Sequence, residues 1–267
     1  MLLFKKILDF KKTDSGVADK RGAKRYPVGA KYPLKTKISL SPRDGEGNAL
    51  PPGKGVPMDW GGQLADLSHT GLSIRLHPAA VAAAGETCTI KFEMDNRLYE
   101  NAATIAYFRN GAQYVTCGVV LTFSDHYTRK AYLQLMEPLV IGSTLAPLPA
   151  AKVKQDLPGL VKEQYTGESE GVLSIWRDAT GKNLKMFELL LHEYSIRGNT
   201  EMPGIKVSYR DGAKVGKRVS RPAFPMTLSP SLKAEVRQLF QLIVPNLTKS
   251  VPAEVRKFLE LFTVAPS

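Results

Sequence analysis

Two arginines near the start of the chain carry the first chemistry that the sequence offers. Arg21 and Arg25 stand four residues apart in "DKRGAKRYPV", each with a lysine before it. A guanidinium group is planar, always charged and a fork of N–H donors, so it can grip a phosphate, pair with guanine or stack on a purine. Such a pair is common by chance, and alone it is equally compatible with solvated charges. Its meaning depends on the partner that the rest of the chain offers.

A second short motif, "DLSHTG" at residues 66–71, lies where one predicted strand ends and the next begins. The Asp66 carboxylate can accept hydrogen bonds from N1–H and N2–H of guanine, which adenine does not offer. The Ser68 hydroxyl can donate to a phosphate or a base, and Gly71 permits a tight turn and a close backbone approach. The alternative is structural, because Asp, Ser and Gly also form turns between strands without any ligand.

The cysteines and histidines offer no catalytic or metal-binding arrangement. Cys88 and Cys117 have no further ligand at metal spacing, and two cysteines do not make a disulfide framework. His69 follows Ser68 directly, but adjacent residues in a strand point to opposite faces, which argues against a Ser/His hydrolase. We therefore expect a protein that is not an enzyme and that holds no cofactor and no metal.

The charge of +12 is unevenly distributed along the 267 residues. Residues 1–37 hold eleven basic and three acidic residues, residues 38–151 are slightly acidic, and residues 152–267 are again basic. A positive field of this kind attracts phosphates, nucleic acid or acidic lipid. A basic nucleic-acid-binding protein is therefore an alternative, although an aromatic–basic interleaved surface is missing. Five basic residues around a predicted hairpin could contact such a partner or be solvated: Arg210, Lys214, Lys217, Arg218 and Arg221.

Short alternating segments with frequent turns predict an all-β barrel or sandwich for the first half of the chain. Its strands are expected in "PLKTKISL", "GGQLADLS", "GLSIRLH", "TCTIKFEMD", "LYENAATIAYFR" and "QYVTCGVVLTF". A helix with Ser124 as its N-cap and apolar residues at Tyr132, Leu135, Met136 and Leu139 is expected to close it. No apolar run approaches the ~20 residues that a membrane span needs, and no secretory leader is recognisable.

The second half of the chain predicts a separate α+β domain at 160–267, after a proline-rich linker at 142–159. Two hairpins are expected there, the second around Asp211-Gly212, and the sequence places His192 in a strand. Ser229 followed by Pro230 predicts the start of a helix, and Ser250 is a candidate cap for a last helix. Residues 1–20 are expected to form a basic segment with a short amphipathic helix. A helix this short is favoured to fold onto its own domain, and the alternative is that residues 1–12 contact a membrane surface or a partner.

The arginine pair, "DLSHTG", the late strand "CGVVLTF" and the closing helix together resemble the PilZ domain, a receptor module for cyclic di-GMP. The resemblance covers about residues 17–141 and implies a six-stranded antiparallel β-barrel with a closing helix at 21–141. It implies that the ligand contacts are Arg21, Arg25, Asp66, Ser68 and Gly71. The 41 positions between Arg25 and Asp66 exceed the gap expected of the family, so 41–54 is interpreted as an insertion that covers the site or contacts a partner.

The resemblance implies a bacterial, cytoplasmic and non-catalytic effector that binds cyclic di-GMP and signals to a protein partner by a conformational change. Motility, exopolysaccharide synthesis and biofilm formation are the outputs that it suggests. A PilZ-like adaptor that keeps the fold and binds no ligand is the remaining alternative, beside the nucleic-acid-binding protein.

Overall fold

The structure is a computed structural model that describes residues 24–30, 32–50, 54–94, 97–202, 204–209 and 228–263. These residues form two compact units, one ending at Met136 and the other beginning at Glu137. Arg21, the predicted segment 1–20 and the predicted basic hairpin at 210–221 lie outside the described residues. The domain boundaries drawn from the sequence stay predictions.

The first unit contains the predicted six-stranded antiparallel barrel. The strands of this unit are β1 (Tyr26–Pro27), β2 (Lys35–Leu40), β3 (Met58–Ser68), β4 (Gly71–Leu76), β5 (Thr87–Met94), β6 (Arg97–Asn110) and β7 (Val115–Thr122), of which β2–β7 form the barrel. The order around the barrel is β3-β2-β5-β6-β7-β4, and β4 pairs back with β3 to close it. The short β1 is an additional strand that pairs with the end of β3.

The alternation of the barrel strands explains its core. Ile38, Ile74, Ile90 and Phe92 are fully buried, while their neighbours along each strand point outward. The helix α1 (His126–Thr144) closes the barrel through Tyr132, whose ring centroid lies 5.9 Å from that of Phe92. The apolar residues that predicted α1 are all buried: Tyr132, Leu135, Met136 and Leu139.

The N-cap of α1 differs from the prediction. The carboxylate of Asp125, not the hydroxyl of Ser124, accepts the hydrogen bond from the backbone N–H of Thr128, at 2.7 Å. This bond is also the main reason that the pKa of Asp125 is lowered. A carboxylate is an equally good cap, and it adds a favourable interaction with the helix dipole.

The connection between β2 and β3 includes residues 41–54, and its status as an insertion stays a prediction. Arg43 anchors it through an ion pair with Glu86 at 2.6 Å, and Asp44 closes a turn by accepting from the backbone N–H of Asn48 at 2.8 Å. The loop enters β3 at Met58, whereas Asp66 lies eight residues further along the strand, about 26 Å at ~3.3 Å per residue. The described part of the loop is therefore held away from Asp66, which disfavours a cover over the site. A partner contact stays a prediction.

The second unit is an α+β fold with a six-stranded antiparallel sheet. Its strands are β8 (Ala146–Pro147), β9 (Leu160–Thr166), β10 (Gly171–Asp178), β11 (Leu184–Leu191), β12 (Tyr194–Asn199) and β13 (Lys206–Tyr209), in the order β13-β12-β11-β10-β9-β8. The helices α2 (Pro230–Ile243) and α3 (Ala253–Glu260) end the chain as predicted. Phe187 of β11 packs against Phe240 and Phe258 of these helices, with ring centroids 5.4 and 6.1 Å apart.

Three local features of the second unit bear on the predictions. Ser229 caps α2 by accepting from the N–H of Leu232, as expected. Ser250 does not cap α3, because that position belongs to Pro252. The predicted linker 142–159 contains the end of α1, β8 and a short 3-10 helix, Ala150–Lys152. No helix among the described residues has the length and apolar character to cross a membrane.

Candidate functional site

Strand β1 brings the two motifs of the sequence together. Tyr26 pairs with Leu67 and Pro27 with Asp66, and the N–H of Val28 donates to the carbonyl of Ala65 at 2.9 Å. Arg25 immediately precedes this strand, so its side chain emerges next to Asp66. The structure thus places one residue of each motif side by side, although 41 positions separate them.

A β-bulge turns Asp66 toward the outer face of the barrel. The register between β3 and β4 shifts between Leu64 and Asp66, and both Leu64 and Leu67 are buried. An extra residue between two inward-facing leucines leaves Ala65 and Asp66 outside, which is how a bulge re-aims a side chain. Directly across from Asp66 on β4 lies Ser73.

Arg25, Asp66 and Ser73 form a closed hydrogen-bonded cluster. Arg25 Nη1 donates to Asp66 Oδ1 at 2.8 Å and to Ser73 Oγ at 2.7 Å, and Ser73 Oγ donates to Asp66 Oδ1 at 3.1 Å. The side chain of Arg25 is 46% exposed and that of Asp66 27%. Ion pairs at this exposure contribute at most about 1 kcal/mol. A ligand that offers equal or better partners can therefore displace the pair.

Tyr107 on β6 completes the cluster from the other side. Its hydroxyl lies 2.8 Å from Ser73 Oγ, and Ser73 is only 1% exposed. Gly118 of β7 pairs with both Ser73 and Tyr107 and makes this contact possible. A Cβ at Gly118 would lie 2.1 Å from the Tyr107 ring. The missing side chain lets the tyrosine lie across β7 and reach Ser73.

Ser68 and Gly71 lie at the hairpin that joins β3 and β4. The Ser68 hydroxyl donates to the Gly71 carbonyl at 3.1 Å, and Ser68 is 4% exposed. Tyr132 of α1 donates to the carbonyls of both residues, at 2.8 and 3.0 Å. Burial and these bonds favour the structural interpretation of Ser68 and Gly71 in the described state. Their predicted ligand contacts stay predictions.

His69, in the same hairpin, has a different environment from a catalytic base. Its ring packs edge-on against Tyr26 with centroids 6.5 Å apart, and Ser68 Oγ bonds to a carbonyl instead of to the imidazole. Burial, and secondly the positive charge of Arg129, lower the pKa of His69. The imidazole is therefore neutral at physiological pH and serves as a packing partner of β1.

Additional positive charge surrounds the cluster on the outer face. Arg75 lies two residues beyond Ser73 on β4, and Arg109 lies two residues beyond Tyr107 on β6. The Lys24 ammonium lies 5.4 Å from the centroid of the Tyr26 ring. Lys24, Arg75 and Arg109 thus add positive charge beside the partly exposed carboxylate of Asp66, a combination suited to an anionic ligand with donor groups.

Sequence reasoning missed Ser73, Tyr107 and Gly118. The position of Ser73 can in principle be predicted from the sequence, because a two-residue hairpin between Ser68 and Gly71 sets Ser73 opposite Asp66. The position of Tyr107 cannot, because a second bulge in β6, between Ile105 and Tyr107, shifts the register there. Alternation alone does not reveal such a shift.

Neither a family model nor a curated protein matches this chain. Among solved structures, the crystal structure of the PilZ domain of CeSA from a cellulose-synthesizing bacterium is similar, with 15% sequence identity and a TM-score of 0.30. The match covers 42% of this chain and 94% of that one.

Proposed function

We propose that the first unit is a PilZ-type receptor module that binds cyclic di-GMP on the outer face of its barrel. The observation that carries this proposal is the cluster of Arg25, Asp66 and Ser73, which unites the arginine motif with "DLSHTG". Neither motif is specific alone, but their direct contact is what a shared ligand site requires.

The chemistry of the cluster matches a guanine. Asp66 accepts from N1–H and N2–H of the base, while the guanidinium of Arg25 pairs with O6 and N7 or with a phosphate. Arg21, by the resemblance, supplies a second guanidinium to the same ligand. Adenine lacks the two donors that face a carboxylate, so the site discriminates against cyclic di-AMP.

The ion pair between Arg25 and Asp66 acts as a placeholder in this mechanism. Both groups keep a partner when the ligand is absent, so neither is left without a hydrogen bond. Binding replaces the pair by contacts to guanine and phosphate, and Arg25 turns with the chain that leads into β1. The ordering of a segment around a ligand is a common switch that a partner protein can detect. Motility, exopolysaccharide synthesis and biofilm formation are the proposed outputs.

An adaptor without a ligand is the second candidate, favoured by one specific observation. Arg25, Ser68 and Ser73 all use their hydrogen-bonding groups within the protein. A site satisfied in this way needs no ligand to be stable.

Calorimetric titration with cyclic di-GMP at near-physiological salt decides between the two. The matched set is the wild type, Asp66→Asn, Arg25→Gln and Lys37→Gln, which removes one exposed charge from β2, outside the site. We expect binding by the wild type and Lys37→Gln, at least tenfold weaker binding by the two site variants, and none of cyclic di-AMP. If none of the four proteins gives a binding heat, the ligand-binding proposal fails and the adaptor without a ligand is the remaining interpretation. A steep loss of affinity with salt, shared by single-stranded nucleic acid, would favour the nucleic-acid-binding protein.

A further inference from the structure

Two arginines on the outer face of the barrel lie over tyrosine rings, and neither has an acidic partner among the described residues. The guanidinium carbon of Arg109 lies 4.8 Å from the centroid of the Tyr107 ring, and that of Arg75 lies 5.2 Å from the centroid of the Tyr114 ring. Both arginines are exposed. No carboxylate of the described residues lies within ion-pair distance of either. Each guanidinium therefore lies against an aromatic ring at a surface position.

The strand register places both arginines in one row. Arg75 of β4 pairs with Thr116 of β7, and Arg109 of β6 pairs with the same threonine. This row runs parallel to the row of Asp66, Ser73, Gly118 and Tyr107, and the two rows are about 7 Å apart along each strand. Their side chains point to the same outer face, because residues two apart in a strand share a face.

Tyr107 joins the two rows physically. Its hydroxyl is hydrogen-bonded to Ser73 of the first row, while its ring contacts the guanidinium of Arg109 of the second row. Stacking on a ring restricts a long side chain that would otherwise lose rotamer entropy on binding. Because Arg109 is exposed, its guanidinium can still offer N–H donors to a base or a phosphate.

We propose that Arg75 and Arg109 form a second half-site, which takes the other guanine–phosphate half of the same cyclic dinucleotide. The inference rests on the proposed function, in which Arg25 and Asp66 hold the first half. From β3 to β6 the face spans three strand spacings, about 14 Å. This is longer than one guanine and suits a ligand with two. The arginines supply the planar, cationic partners that a second guanine and phosphate require.

The test compares four exposed-charge variants by calorimetry with cyclic di-GMP: Arg75→Gln, Arg109→Gln, Arg109→Lys and the control Lys37→Gln. We expect the two glutamine variants to bind about tenfold more weakly or worse, because a good arginine–guanine contact discriminates by ~1–3 kcal/mol. Arg109→Lys keeps the charge and loses the planar stack, so it should be nearly as weak as Arg109→Gln. Lys37→Gln should stay within twofold of the wild type. Thermal melting should be unchanged throughout, because all these side chains are exposed.

The outcomes separate the two proposals. Wild-type binding with all variants within twofold would overturn the second half-site and leave the proposed function intact. Full recovery by Arg109→Lys would also overturn it, since the effect would then be long-range charge. If the wild type does not bind, the proposed function fails and the second half-site fails with it.

Discussion

Gly71 is the residue of "DLSHTG" whose substitution the structure predicts most sharply. A Cβ at this position would lie 2.1 Å from the carbonyl oxygen of Val119 and 3.2 Å from its carbon. Both atoms belong to the backbone of β7, so no side-chain rotation can relieve the contact. Gly71→Ala therefore has to push β4 and β7 apart by roughly 1 Å, since overpacking forces such backbone shifts.

The magnitude follows from the bonds at that point. Gly71 pairs with Val120, and the N–H of Leu121 donates to the carbonyl of Thr70 at 2.8 Å. Loss of two or three such bonds, at about 0.5–1.5 kcal/mol each, costs ~1–4 kcal/mol. Lower chain entropy of unfolded alanine offsets ~0.5–1 kcal/mol of this. These two terms leave a net loss of roughly 0–3.5 kcal/mol. Within it we expect about 1–3 kcal/mol in the free energy of unfolding, the range typical of overpacking.

Urea unfolding followed by tryptophan fluorescence measures this loss. Trp60 lies in the barrel, and a Trp176→Phe background removes the signal of the second unit. The matched control is Gly61→Ala on β3, where a Cβ meets no atom within 4 Å. It should be neutral or slightly stabilising. If Gly71→Ala were as stable as Gly61→Ala, the strand-spacing argument would be refuted. If it then also lost cyclic di-GMP, the glycine would serve ligand approach instead.

Three further substitutions test other parts of the argument. Tyr132→Phe removes the buried hydroxyl that donates to two hairpin carbonyls, and it should cost about 1–3 kcal/mol in the same urea assay. Tyr107→Phe keeps the ring under its arginine and loses the bond to Ser73, so calorimetry should show cyclic di-GMP binding two- to tenfold weaker, as ~0.5–1.5 kcal/mol implies. An unchanged affinity would show that the hydrogen bond between Tyr107 and Ser73 does not contribute to ligand binding. The hydrogen bond to Glu137 raises the pKa of His192 in the folded protein. The protonated histidine therefore stabilises the folded state fully below the unfolded-state pKa of ~6.5, and this stabilisation is lost as the pH rises through the folded-state pKa. His192→Gln should therefore destabilise the protein more at about pH 5.5 than at about pH 9, and an equal effect at both would contradict the ion pair.

The fold could be predicted from the sequence where each strand alternates regularly. The buried residues of β5 follow strict alternation, and α2 carries both a Ser229 cap and an apolar face. Strand β9 shows no clear alternation in the sequence, because Tyr165 is its one buried side chain and its charges mask the pattern. His192 is not in a strand as predicted, but between β11 and β12 with φ of 50°. A histidine rarely adopts this conformation, and residue type alone does not signal it.

The candidate site shows the same division between local and long-range information. The residue types of Arg25 and Asp66 suggested their chemistry, but their contact depends on the two-residue strand β1. No local pattern encodes that pairing, since two residues cannot show a period. Ser73 lies opposite Asp66 through the regular register of the β3–β4 hairpin, whereas Tyr107 depends on the bulge in β6, which changes which side chains face outward.

The shortness of β1 is also what connects recognition to a response under the proposed function. Few backbone hydrogen bonds hold β1 to β3, and elements held in this way lie at the low end of local stability. The side chain of Arg25 adds a contact with Asp66 and Ser73 that a guanine can replace. A ligand that takes Asp66 therefore acts on the residue that precedes this two-residue strand. Binding in the middle of a long, fully paired strand such as β6 would have no comparable effect, because many ladder bonds would resist it. The position of the cluster, as much as its chemistry, suits it to a switch.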